Sequence, residues 1–468
     1  MGNPFRAAAA ASAAAALVLV ATALSPVAAL RQASGNSVGV HIDQADVRDA
    51  VSSHIMPMRA HIPSARAPDY SSPHLRRRGD VSANLTNVHD IYYIVDIKVG
   101  RETIPVSVDT GSSDTWLVQQ PYQCVSYYWE PGKKPDCGLG AGLKGNLSGG
   151  LVPDVVFGRA YGDGTFVQGY FGYEDVTVGG LTAHHQRLAI VNYTYWYGDN
   201  RVSGLLGLAY PLLTSLDGGE QTKEPYDPIF FTMWKNKLVA EPIFSIALSR
   251  DEDQTTVAGS KAPITNGGQK ETSYLALGGL PPVSYDNSTW ARTPIQSMDL
   301  IDGWAVATKE LGMYIIVADA YVFGKTAHSS NATNAMVPEP TRNTTRFPVL
   351  IDAGSTLSIL PTEMVTQLYK SFDPPARYMP GTGLYFAPCN ATVPTFGVQI
   401  GTQTFYIQPE DLLRQSTRKE DDEGVWCRIG VTDSDYSPWV LGVTFLSNVV
   451  AVFDVGLNEM RFATRTKY

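Results

Sequence analysis

The feature that most restricts this fold is a repeat of very long period. Val106-Ser107-Val108-Asp109-Thr110-Gly111-Ser112 returns in kind as Val349-Leu350-Ile351-Asp352-Ala353-Gly354-Ser355. Each copy is an apolar run that enters Asp-x-Gly-Ser and leaves into a second apolar run, Trp116-Leu117-Val118 in one case and Leu357-Ser358-Ile359-Leu360 in the other. A third match follows at a similar distance: Leu205-Leu206-Gly207 lies 96 residues beyond Asp109, and Val440-Leu441-Gly442 lies 88 residues beyond Asp352. A chain of 468 residues that repeats itself on this scale consists of two lobes of similar build.

The segments around the repeat are short and alternate between apolar and polar residues, as in Tyr93-Ile94-Val95-Asp96-Ile97-Lys98-Val99, with Gly, Pro, Asn and Asp turns between them. Such spacing is that of an all-β sandwich or barrel. Only 17% of residues are charged, which disfavours long surface helices. Lys325 to Thr345, with two sequons and Pro338 and Pro340, reads as an exposed glycosylated loop.

A loose Asp-x-Gly-[Ser/Thr] arises by chance about 0.3 times in a chain of this length, and its ordinary role is a β-turn. A related pair is more informative, because two lobes meeting about a pseudo-twofold axis bring equivalent loops to one point. Two carboxyls in contact cannot both ionise cheaply, so they share a proton and titrate as a coupled pair. The ionised member then takes a proton from an intervening water while the protonated member donates to a carbonyl oxygen. Gly111 and Gly354 let backbone approach the acids, and Ser112 and Ser355 are placed to hydrogen-bond them.

From the motifs Asp109-Thr110-Gly111-Ser112-Ser113-Asp114-Thr115-Trp116, Tyr161-Gly162-Asp163-Gly164-Thr165, Gly204 to Pro211, Asp352-Ala353-Gly354-Ser355-Thr356 and Trp439 to Ala463, the chain from about Gly79 to Ala463 resembles the pepsin-like aspartic peptidases, in particular secreted fungal ones. The resemblance implies an all-β, bilobal pepsin-like fold: two β-barrel-like lobes, a central cleft for an extended peptide, and a hairpin flap. It also implies internal peptide-bond hydrolysis at acidic pH with Asp109 and Asp352 catalytic and no cofactor or metal. Tyr161 would be the flap tyrosine, its hydroxyl directed at the indole of Trp116. Gly162, Asp163, Gly111, Gly354, Ser355 and Thr356 would line the substrate site, supported by Thr110 and Ser112. In fungal relatives an acid at the position of Asp163 accompanies acceptance of Lys before the cut bond; the alternative is a solvated turn residue. A binding or inhibitory protein on the same fold is the rival reading.

Two departures stand out. Ala353 lacks the hydroxyl that the family usually carries after each catalytic Asp, so half of an interlobe grip should be missing. Val443 follows Gly442 where Asp is frequent.

The expected organisation is a signal peptide over 1–29, a pro-segment over 30–78 ending in Arg76-Arg77-Arg78, an N-terminal lobe over 79–290 and a C-terminal lobe over 291–468. Residues 1–78 hold eight Lys or Arg and four Asp or Glu, whereas the remainder holds 28 and 41, a formal charge of -13. A basic pro-segment bearing His41, His54, His61 and His74 therefore suits an intramolecular inhibitor that acid loosens. Four cysteines in an exported chain suggest Cys124 with Cys137 and Cys389 with Cys427, one of three pairings. Sequons stand at Asn84, Asn146, Asn192, Asn287, Asn331, Asn343 and Asn390. The picture is of a monomeric, secreted extracellular glycoprotein, with the vacuole as the alternative destination, no membrane anchor and no nucleic-acid partner. Gly140-Ala141-Gly142-Leu143-Lys144-Gly145 spells a dinucleotide fingerprint but has no strand before it and reads as a loop.

Overall fold

The computed structural model describes residues 50–61, 92–125, 136–214, 225–250, 273–301, 304–307, 309–324, 340–379, 382–421 and 424–466. The expected signal peptide, most of the expected pro-segment, and Asn84 and Asn331 lie outside them.

In chain order the first strands are β1 (His54–His61), β2 (Tyr92–Val99), β3 (Glu102–Asp109), β4 (Trp116–Cys124), β5 (Leu151–Ala160), β6 (Phe166–Val178), β7 (Leu181–Tyr195), β8 (Gly204–Gly207), β9 (Ile243–Ala247), β10 (Ser273–Leu277) and β11 (Ala291–Pro294). Strands β2 and β3 alternate buried and exposed positions, as a half-covered sheet demands. All eleven join one thirteen-stranded sheet, which also takes in Glu459–Thr464 and Val449–Asp454 between β11 and β9. Val449–Asp454 thus pairs with β9 and binds the two halves of the chain into one sheet. Behind it, Phe244 stacks on Phe453 with centroids 4.5 Å apart, and Tyr314 packs edge-on against Phe453.

The repeated motifs fold alike. In the first half β8 lies between the two arms of the Asp109 loop, parallel to β3 and antiparallel to β4. In the second half Val440–Leu441 lies parallel to Pro348–Ile351 and antiparallel to Ser358–Pro361. The glycine that ends each inserted strand is required by crowding. A Cβ on Gly207 would lie 2.5 Å from the Ser113 carbonyl carbon, and one on Gly442 would lie 2.3 Å from the Ser355 oxygen. Val443, just beyond, is 2% exposed and opens a short helix, Val443–Leu446; a carboxylate there would need a buried partner that a valine does not.

The cysteines pair as Cys124 with Cys137 and Cys389 with Cys427. Within the segment read as a loop, Thr341–Asn343 forms a short strand against Ala320–Gly324, because its backbone extends an open sheet edge. Gly142 in the fingerprint-like stretch, and Gly138 just before it, adopt left-handed backbone in an irregular loop. Strand β1, inside the expected pro-segment, was not apparent from periodicity. It is divided between partners: His54 to Met58 pair with β10 and Arg59 to His61 with β2. Pro57 therefore sits where one side has no ladder to break. Among the described residues no helix is long and apolar enough to cross a membrane.

Candidate active site

The two inserted-strand motifs deliver Asp109 and Asp352 to one place. Both side chains are 7% exposed, and each is held by the same pair of local donors. Gly111 N–H donates to Asp109 Oδ1 at 2.8 Å and Ser112 Oγ to Oδ2 at 2.5 Å. Gly354 N–H donates to Asp352 Oδ1 at 2.8 Å and Ser355 Oγ to Oδ2 at 2.6 Å. The lobes approach so closely that a Cβ on Gly111 would stand 2.9 Å from Asp352 Cγ, and one on Gly354 would stand 2.5 Å from Asp109 Oδ1. Burial first, and then the charge of Asp352, push Asp109 above the usual carboxylate range, against the pull of Ser112 and Gly111.

The grip beneath the acids is one-sided. Thr110 Oγ1 donates to the Ile351 carbonyl at 3.0 Å and accepts from Ala353 N–H at 2.9 Å, so one hydroxyl makes two contacts across the lobes. Ala353 presents only a methyl in return. Thr356 is fully buried, its carbonyl accepting from Thr444 N–H at 3.1 Å, and so it supports the loop from behind.

Strands β5 and β6 form the hairpin whose tip is Tyr161 to Thr165. Tyr161 N–H donates to the Thr165 carbonyl and Gly164 N–H to the Tyr161 carbonyl, both at 2.9 Å. Gly164 takes a φ of +84°, which a side chain would strain. Asp163 Oδ1 accepts from Thr165 N–H at 2.9 Å and from Thr165 Oγ1 at 2.7 Å, fixing the turn; Gly162 is exposed at the tip. Trp116 Nε1 donates to the Tyr161 hydroxyl at 2.7 Å. Trp196, not singled out from the sequence, packs edge-on against Trp116 and Tyr161 at 5.2 and 5.5 Å. Its only local signal is the aromatic run Tyr193 to Tyr197.

Of the sequon asparagines described, Asn146, Asn192, Asn287 and Asn390 are exposed and Asn343 is half-buried. Among the described residues no group of three or more His, Cys, Asp or Glu is placed to hold a metal ion.

Known proteins resemble this arrangement over most of the chain. The eukaryotic aspartyl protease family model matches residues 92–465. A probable aspartic-type endopeptidase of Aspergillus fumigatus is 34% identical over 388 residues, covering 82% of this chain and 81% of that protein. Penicillopepsin-1 of Talaromyces stipitatus is 25% identical over 461 residues, covering 96% and 98%. The crystal structure of the aspartic proteinase from Irpex lacteus superposes with a TM-score of 0.56 at 17% identity, covering 80% of this chain and 94% of that one; it shows the same bilobal all-β fold.

Proposed function

The chain belongs to the eukaryotic aspartyl protease family and is an aspartic-type endopeptidase; within it, we propose that Asp109 and Asp352 are the catalytic acids and share one proton. The observation that carries this is the matched pair of loops, which bury two carboxyls together and hold each with one glycine amide and one serine hydroxyl. In the bound state one acid accepts a proton from a water lying between them, the water oxygen attacks the peptide carbonyl, and the other acid donates to the carbonyl oxygen. The proton then returns to the leaving nitrogen as the carbon–nitrogen bond breaks. The raised Asp109 carboxyl supports work in acid, where the pair retains a proton. Tyr161, with Gly162 and Asp163, closes over an extended peptide, and Trp116 holds its hydroxyl. Gly111, Gly354 and Ser355 border the same cleft, with Thr356 buried behind them.

The test is a digest of denatured protein at acidic pH, with and without pepstatin, run beside Asp109→Asn and Asp352→Asn. Pepstatin-sensitive cleavage that falls on the order of 10³-fold in each variant is the expected result; full activity in either variant overturns the assignment.

The same reading makes residues 30–78 an inhibitory pro-segment and the product a secreted glycoprotein. In support, β1 fills the sheet between β10 and β2, Arg59 makes a two-pronged contact with Asp96, and His61 bonds Asp199. A mature N-terminus at Gly79 is expected on sequencing the active form; one upstream of His54 would exclude removal of β1.

A further inference from the structure

The flap strand is poorly held by its sheet. β5 is the outermost strand, its pairing with β6 shifts register between Leu151 and Val156, and those two residues are 60% and 64% exposed. An edge strand with so little buried area is positioned mainly by its side chains. Phe157 is the one buried residue of β5 and packs edge-on against Phe171 of β6, while Tyr161 ties the tip to Trp116, with Trp196 packed against both. One hydrogen bond to the acid loop leaves the angle between hairpin and loop open.

A second contact lies two residues earlier, and two residues along a strand return to the same face. Arg159 Nε donates to Asp114 Oδ2 at 3.0 Å and Nη2 to the same oxygen at 2.5 Å, while Nη2 also donates to the Leu213 carbonyl at 2.5 Å. Asp114 lies between Asp109 and Trp116 on the first acid loop. Its other oxygen accepts from the Tyr226 hydroxyl at 2.6 Å, and the Tyr226 ring is covered by the Arg187 guanidinium at 4.7 Å. The Asp114 and Arg159 side chains are 2% and 12% exposed. Such a shielded, forked contact is directional and resists solvent competition.

Resting on the assignment of Asp109 and the Tyr161 flap above, we infer that Arg159 is a positioning residue, which with Asp114 and Tyr226 fastens the flap strand to the loop carrying Asp109. Tyr161 and Arg159, about 6.6 Å apart along the strand, then act as two fixed points that set both the height and the angle of the flap over the cleft. Peptide binding meets a flap already aligned, which lowers KM more than it raises kcat.

The test pairs Arg159→Met with Asp114→Asn. Arg159→Met alone strands a buried carboxylate and can unfold the protein, but the double variant removes both charges and keeps an acceptor for Tyr226. Amide exchange across residues 161–165 should quicken about tenfold in the full chain of the double variant, and after activation in acid its KM for a peptide substrate should be raised about tenfold with kcat within about twofold. Arg159→Lys, which keeps the charge without the fork, should fall between. Flap exchange and KM both at parental values in the folded double variant overturn the inference. The exchange measurement stands even if the parental protein cleaves nothing, so failure of the catalytic assignment is separable from failure of this one.

Discussion

The two acid loops agree and differ in an instructive way. Around Asp109 and around Asp352 the glycine amide, the serine hydroxyl and the crowded glycine of the inserted strand recur with nearly equal distances. One residue further on the likeness ends: Thr110 reaches across to the other lobe twice, and Ala353 does not. The first loop alone carries the flap contacts, through Trp116 and Asp114. Symmetry is therefore kept where both carboxyls must be oriented and given up where one lobe can supply the support for both.

The most damaging way to disturb the shared part is a methyl at either glycine. Gly354→Ala places a carbon against Asp109 Oδ1, and Gly111→Ala places one against Asp352 Cγ. Each should lower kcat about 100-fold by displacing the acids, with Gly354→Ala the worse because its contact is the shorter; equal parental rates would show that the lobes are less tightly apposed.

The unshared part is sharpened by exchanging its chemistry. Thr110→Ala removes two interlobe hydrogen bonds and should cost about 1 to 3 kcal/mol in chemical denaturation. Ala353→Thr, which restores symmetry, should be neutral or stabilising by up to about 1.5 kcal/mol. A loss of both stability and activity in Ala353→Thr would show that the second loop has no room for the missing hydroxyl.

A pH titration separates Asp109 from its surroundings. Because its folded-state carboxyl binds a proton more tightly than the unfolded chain does, its contribution is fully present below the ordinary carboxylate range and is lost as pH rises through the elevated value. The fall in Tm between acid and neutral pH should therefore be smaller in Asp109→Asn than in the parent. An equal fall would assign the dependence elsewhere.

The smallest effect concerns the flap tip. Asp163 already bonds Thr165 within the turn, so its pairing with a substrate Lys is that of a partly exposed charge, worth about 1 kcal/mol at most. Asp163→Ser should reduce cleavage after Lys relative to Leu by about fivefold; an unchanged ratio confines Asp163 to the turn.

What could be read from the sequence was what is written locally and then repeated. Asp109, Asp352, their serines and glycines, Tyr161 and Trp116 all lie in short motifs whose backbone requirements are contained within a few residues. The all-β character followed from alternation in segments such as β2, and the cysteine pairs from their spacing. Strand β1 escaped because Met56 and Met58 become core positions only once β10 and β2 flank them, and Pro57 is tolerated only because the two partners divide the strand. Trp196, Arg159 and Tyr226 escaped for a related reason: Tyr226 meets Asp114 across 112 residues of chain, and Arg159 across 45. Sequence by itself determined the repeated acid turns, since each is written in a few adjacent residues and recurs only if the lobes are alike. The tertiary structure decided how that chemistry is held, because contacts between distant strands depend on register and burial, which no local pattern contains.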